Sequence, residues 1–433
     1  MNYQINYFLL VLLLLSAIGC KEEPPVVPPP PEPPKAVSLK LVDVSCTEAF
    51  IKVTAADSVL PLSISLTKNE STIAHFTLTK TDTVVIDTTL QPGITYIYQT
   101  TETINGREEK SDTLQVKSLN ITSNNLNWIT YTFGDPDGGS SSLRDIVIIN
   151  DNNIWAVGEI YNDTTGVPYN AVHWDGTQWS LLRIPYLYQG DSIYNPIQSI
   201  YAFNPQDIWF CGNGIINWDG SQYIPINVPA NIWGPYQMNK IWEMSDNNVY
   251  VVGDSGKIAH FNGQNWNRIE SGTTANLRDV YGVDEPTTGN LKILATAEKL
   301  NDYRILKLTP TTAEDTLDWQ PDTHLSGIWL DGRRTYVAGT DIWVNQYNQW
   351  QKKTFTNFFF TTIRGSKSNN IYGIGPDGIV HFNGQDWQLI KQRPEGIVML
   401  SGNCSSNLVA AVGFTTSGGV VGKAVILLAN KLE

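Results

Sequence analysis

The chain has 433 residues and a formal net charge of −13, with 41% hydrophobic and only 16% charged residues, and it is rich in aromatics, with 14 Trp and 19 Tyr. That length suits two or three domains and the composition supports packed cores. The acid excess argues against a nucleic-acid partner, because phosphate contacts need Lys and Arg to displace counterions.

At the N-terminus, NYFLLVLLLLSAIGC is an apolar run closed by small residues and Cys20. The run from Phe8 to Ile18 is too short for a spanning helix, which needs about 20 apolar residues. Its layout is that of a secretion signal, and Ala17-Ile18-Gly19-Cys20 resembles the lipobox of bacterial lipoproteins. The resemblance implies a signal peptide over 1–19 and a lipidated Cys20. Unlike the usual pattern, the segment before the run (MNYQINY) carries no Lys or Arg. Residues 20–35 then read CKEEPPVVPPPPEPPK, whose prolines favour an extended, semi-rigid spacer. Lys21-Glu22-Glu23 is similar to the acidic export tag of surface lipoproteins of Bacteroidota. Together these imply an outer-membrane protein, anchored through Cys20 and exposed at the cell surface.

From 36 to 118 the chain reads as short strands. AFIKVTA and LSISLTKN alternate apolar and polar residues, the period of half-buried strands. Ile104-Asn105-Gly106-Arg107 carries the Asn-Gly pair that accepts positive φ in a two-residue hairpin. LQPGITYIYQTTETI, with Leu90, Pro92-Gly93, Tyr96 and Tyr98, resembles the fibronectin type III signature. The resemblance implies a β-sandwich in which Tyr96 is a corner tyrosine, its ring buried and its hydroxyl bonded back to the backbone. The early core Trp of that family is missing, since no Trp lies between Ala36 and Ser118. Such modules serve as spacers or docking units.

Beyond Asn120 the sequence repeats itself. A strand ending in Val-Gly or a relative closes at Gly158, Gly212, Gly253, Ala297, Gly339, Gly375 and Gly413, spaced by 36 residues (Gly339 to Gly375) to 54 residues (Gly158 to Gly212). Each is preceded by another strand, and most are followed by a short motif: HWDGTQW at 173, NWDGSQY at 217, HFNGQNW at 260 and HFNGQDW at 381. Four short strands per repeat at this spacing describe a propeller blade. The last repeat lacks its fourth strand, whereas NNLNWITYTF at 124–133 has no repeat of its own. It therefore completes the last blade and leaves no free sheet edge. The expected fold is all-β: a fibronectin type III-like sandwich (36–118), then a seven-bladed β-propeller (121–433) closed by its N-terminal strand.

The recurring motif combines His, a carboxylate or amide, and aromatics, but repetition places equivalent residues around a ring instead of at one point. We therefore read Asp-Gly and Asn-Gly as tight turns needing positive φ, and His173, His260 and His381, with Asn217 in their place in the second repeat, as scaffold. The motif resembles a worn Asp-box of sialidase-like propellers, without the leading Ser or Thr; those boxes are themselves structural.

The chain shows no phosphate loop, nucleophile elbow, zinc spacing or calcium loop, and no cofactor, metal site or catalytic residue is assigned. Its four cysteines, Cys20, Cys46, Cys211 and Cys404, include no CxxC, and the last three read as buried thiols. The strongest functional signal is loop length. Residues 159–170, 184–196 and 227–237 are long and carry Tyr186, Tyr188, Tyr194, Trp233 and Tyr236, which we expect to share one face, with several rings exposed, as a ligand-binding surface. The expected function is non-catalytic binding of a polysaccharide or a partner protein, with the membrane touched only through Cys20. The alternative is a carbohydrate-active hydrolase or lyase using Asp145 and Asp279, from the two Leu-Arg-Asp stretches, which requires carboxylates about 5–9.5 Å apart.

Overall fold

The computed structural model describes residues 35–433 apart from 136–138, 163–165, 189–190, 246, 317–323, 357 and 432–433. The signal peptide, Cys20 and residues 20–34 of the expected linker lie outside the described residues. Every described element except two single 3-10 turns is a β-strand.

The first eight strands form two facing sheets. One holds β1 (Val37–Val44), β2 (Ala49–Ala55) and β5 (Asp82–Asp87) in the order β1-β2-β5. The other holds β3 (Leu62–Lys68), β4 (Ser71–Leu78), β6 (Thr95–Ile104) and β7 (Arg107–Lys110) in the order β4-β3-β6-β7, with β8 (Leu114–Lys117) also on β6. Alternation in β3 buries Leu62, Ile64 and Leu66 against Ile51 and Val53 of the opposite sheet. In place of a Trp, the rings of Phe50, Tyr96 and Tyr98 are buried. The Tyr98 hydroxyl donates to Asp87 at 2.7 Å, and the Tyr96 hydroxyl accepts from the Gln91 backbone N–H at 2.9 Å, the return bond expected of it. Asn105 and Gly106 both take positive φ, 52° and 77°, in the hairpin between β6 and β7.

Seven four-stranded antiparallel sheets follow among the described residues. Sheet one runs β10 (Ser142–Asn150), β11 (Asn153–Ile160), β12 (Tyr169–Trp174), β13 (Trp179–Leu182), and the next five repeat the same meander in chain order. In sheet seven the fourth strand is β9 (Leu126–Phe133), paired along the C-terminal strand from Ala424↔Phe133 to Lys431↔Leu126. The first strand of each sheet packs against the first strand of the next, and that of sheet seven against β10. This cyclic order is that of a β-propeller.

The sequence repeat now has a local cause. In sheets one to four and in sheets five and seven, the first strand carries a bulge near its start, for example between Leu143 and Asp145 or between Met399 and Ser401. The glycine of the Val-Gly pair lies opposite that bulge. A Cβ on Gly158 would sit 2.1 Å from the Ser142 carbonyl oxygen, and one on Gly413 1.8 Å from that of Val398, so no larger residue fits without moving the backbone. In the recurring motif Gly176, Gly220, Gly263 and Gly384 take φ of 87° to 100°. There Asp175, Asp219, Asn262 and Asn383 each accept backbone N–H bonds from the residues two and three positions on. Hydrogen bonds from Thr177 and Ser221 and the backbone hold the Asp175 and Asp219 carboxyls down at about 2.

The sandwich is docked on the ring, not strung beside it. Its contacts are with the face formed by the turns between first and second and between third and fourth strands, here termed the turn face. Buried Glu48 accepts from Arg334 at 2.6 Å, from Gln346 at 2.7 Å and from the Tyr347 hydroxyl at 3.1 Å. Arg333 pairs with Asp43 at 2.9 Å and lies over the Phe50 ring.

Candidate functional site

In most of the sheets the bulge turns one side chain of the first strand toward the ring axis. Asp145, Ser199, Lys240, Asp279 and Ser401 occupy this register position, joined by Thr362 of sheet six. They form a belt. The Asp145 carboxylate accepts from Ser199 (2.8 Å), the Ile200 N–H (3.1 Å), Lys240 (2.6 Å) and Ser401 (2.8 Å). Burial alone would push its pKa up, but Lys240 and the hydrogen bonds bring it below the ordinary carboxylate range. Arg364 grips Asp279 with two bonds of 2.8 and 2.9 Å, while the Ile328 N–H donates to the same carboxylate at 2.8 Å. Burial disfavours the charge on Arg364, yet Asp279 raises its pKa on balance. Both candidate acids are therefore buried and fully engaged, each against a cation. Their oxygens are all taken up by these partners and by the Val280 N–H, leaving none for a substrate.

The three motif histidines share a device. His173, His260 and His381 each meet an Asn side chain at the start of the second strand (Asn153 at 3.0 Å, Asn248 at 2.8 Å, Asn370 at 3.1 Å). Each stacks on the aromatic two residues further on, Trp155, Tyr250 or Tyr372, at 4.2 to 4.5 Å. In sheet two the same bond joins Asn217 to Asp207 at 2.8 Å. Burial, with some help from Lys431, lowers His381 to about 3, so its ring stays neutral near neutrality, and burial lowers His173 and His260 as well. Among the described residues no group of three or more His, Cys, Asp or Glu is placed to hold a metal. Cys46, Cys211 and Cys404 are free and buried.

The opposite, loop-bearing face differs. Between sheets two and three it opens into a groove of about 970 Å³, lined by Leu187, Asn213, Gly214, Ile226, Tyr236, Asp254 and neighbours. It runs on into a hollow of about 400 Å³ that shares Leu187, Asn213, Gly214, Pro225 and Ile226 and ends against Tyr186 and Ile193. One wall is the hairpin β14 (Tyr186–Tyr188) and β15 (Asp191–Ile193), the other the loop at 227–237.

The five expected binding residues divide here. Tyr236 is 40% exposed, with Lys257 Nζ 4.8 Å from its ring centre. Tyr194 is half-buried, and nothing is described of the Tyr188 side chain. Trp233 and Tyr186 depart from expectation, with only 4% and 5% of their surface exposed. Trp233 packs against Gly253 and donates its indole N–H to the Tyr236 carbonyl at 2.7 Å, so it braces the loop that carries Tyr236. Tyr186 lies against Gly212 and Gly214 in the core between sheets one and two. Burial raises its hydroxyl pKa. Both rings fold inward because glycines beneath them leave flat ground to cover. Leu187, 59% exposed, was missed; alternation after buried Tyr186 in a short hairpin was the available signal.

No protein-family model matches the chain, and no curated protein matches it significantly. Solved structures do. "YCF48 bound to D1 peptide" is similar at a TM-score of 0.51 and 16% identity, covering 72% of this chain and 98% of that one. The "WD40 beta propeller domain of Doa1" is similar at 0.50 and 14% identity, covering 70% and 96%. At such identities the likeness concerns the fold: the bulk of this chain is a β-propeller.

Proposed function

We propose that this protein is a non-catalytic binding protein that holds a segment of a partner protein in the groove of its loop-bearing face. One contrast carries the reading: the acids that would be needed for chemistry are buried and neutralised, while the loop face keeps an open groove. An extended polypeptide suits that groove. Leu187, Pro225, Ile226 and Tyr236 offer apolar contact, and Asn213, Asp254 and the backbone at Gly214 offer polar contact. A polysaccharide would need exposed rings to stack on, and among the described aromatics of the five only Tyr236 is largely exposed. The similar propeller described as bound to a peptide favours the polypeptide further.

In the same reading the seven sheets are the seven blades of a propeller closed by β9. The two facing sheets before it are a fibronectin type III-like module over 36–118, supported by their strand order and by the Tyr96 return bond. Cys20 carries a lipid that anchors the chain at the outer membrane, with the Pro-rich stretch as spacer.

A peptide-library and glycan-array screen of the full chain tests the ligand. Hits should be peptides, weakened about tenfold or more by Tyr236→Ala, since removing a central aromatic anchor costs about 2 kcal/mol. Glycan hits alone, or peptide hits indifferent to both Tyr236→Ala and Leu187→Asp, would refute the groove reading. Anchoring is tested separately: Cys20→Ser should move the protein from the membrane to the soluble fraction, and unchanged sedimentation would refute it.

A further inference from the structure

We propose that the axial channel of the propeller is a second, separate binding site, for a neutral molecule of one aromatic ring bearing a hydrogen-bonding substituent. Just beyond the belt, the channel widens into a cavity of about 190 Å³. Register sets its walls. Two residues past each belt position, the first strands present Val147, Tyr201, Trp242, Tyr281, Trp329, Arg364 and Asn403, and all of these line the cavity. Tyr201, Trp242, Tyr281 and Trp329 follow one another around the ring at centroid spacings of 6.3 Å.

Size, charge and polarity each narrow the ligand. An apolar cavity of about 150 Å³ accommodates benzene, so this one takes a single ring and a small substituent, not a fused or extended ligand. The two cations that reach the cavity, Lys240 and Arg364, are each neutralised by a buried carboxylate. A charged ligand would meet no free counter-charge and would lose its hydration. Polar groups for a ligand remain: among the described residues the buried Trp329 indole N–H has no hydrogen-bond partner, and the Asn403 amide, with no side-chain hydrogen bond there, also lines the cavity, where it can serve a hydroxyl or carbonyl.

Access is from the turn face. The belt forms the other end, where Asp145 and Asp279 are buried. Toward the turn face the cavity continues, through Tyr281, Trp329 and Gly365, into a vestibule of about 460 Å³. Asp43, Val44 and Leu119 form part of that vestibule's wall. The docked sandwich and the segment that follows it therefore shape the entrance, which gives the docking a use beyond spacing.

Saturation-transfer NMR and tryptophan emission on the full chain test the site with benzyl alcohol, benzoate and benzylamine. Benzyl alcohol should show transfer and quench Trp242 and Trp329, with the two charged rings at least tenfold weaker. Asn403→Phe, which fills the cavity, should abolish the signal at an unchanged melting temperature. If that variant fails to fold, Asn403→Leu removes only the amide: benzyl alcohol should weaken several-fold while toluene is retained. No transfer from benzyl alcohol, a preference for a charged ring, or binding untouched by both variants would overturn the proposal and leave a water-filled channel. None of these outcomes bears on the groove.

Discussion

The two faces of the ring are made by opposite ends of the same strands, yet they are built differently. On the turn face, one short motif recurs at four of the seven sheets, its glycines at positive φ and its Asp or Asn oxygens closing the loop. The sandwich rests on this face, where Glu48 and Asp43 meet Arg334 and Arg333 in the first turn of sheet five. On the loop face, lengths vary and the groove lies where they are greatest. Repetition marks what the fold needs of every blade, and departure from it marks what this chain needs once. The belt behind both faces obeys neither rule. Its register position repeats, but its occupants are unlike residues that neutralise each other.

Three experiments separate the belt, the loop face and the turn face by the size of their effects. The largest effect should come from the belt. Arg364→Leu leaves Asp279 buried without its cation, and breaking such a pair costs about 3–5 kcal/mol, read as a lower urea midpoint. Replacing both partners, Arg364→Leu with Asp279→Leu, should recover much of that loss, because the cost is that of an unpaired charge. A single variant as stable as the parent would mean that the belt is not a buried network of mutually neutralising groups.

The loop face should split into brace and contact. Trp233→Ala removes a buried ring and should destabilise by about 3–5 kcal/mol, close to the belt variant. Tyr236→Ala, three residues on, removes a largely exposed ring and should stay within about 0.5 kcal/mol. Equal losses in the two variants would show that Tyr236 is also packing and would weaken the groove as a recognition surface.

The smallest effect concerns pH. His381 has its pKa depressed, so the folded state resists a proton that the unfolded chain accepts. Its contribution to stability is complete above the ordinary value of 6.5 and is lost progressively as pH falls toward about 3. His381→Gln keeps hydrogen bonding to Asn370 and cannot be protonated, so its stability should fall less steeply between pH 6.5 and 3 than that of the parent. Parallel slopes would show that His381 is not protonated on unfolding.

Much of this molecule could be read from its residues because the cause is local. A glycine before a turn, an alternating strand, a Val-Gly pair at a steady interval and an unmatched strand at 124–133 each state their geometry within a few residues. Hydrophobic periodicity and backbone sterics need no distant partner, so the all-β character and the repeat were legible from the chain alone. The direction in which an aromatic loop residue points is another matter. Trp233 and Tyr236 look alike in sequence, and only the surface beneath them, bare Gly253 for one and the open groove for the other, sends one inward and leaves the other out. Asp145 and Asp279 sit in identical Leu-Arg-Asp stretches, and nothing nearby announces Lys240, 95 residues away, or Arg364, 85 residues away. Which charges are neutralised, which rings are buried and where the sandwich rests depend on residues distant in the chain that meet only when the ring closes. Burial and ion pairing are properties of that assembly, so the tertiary structure alone decided them.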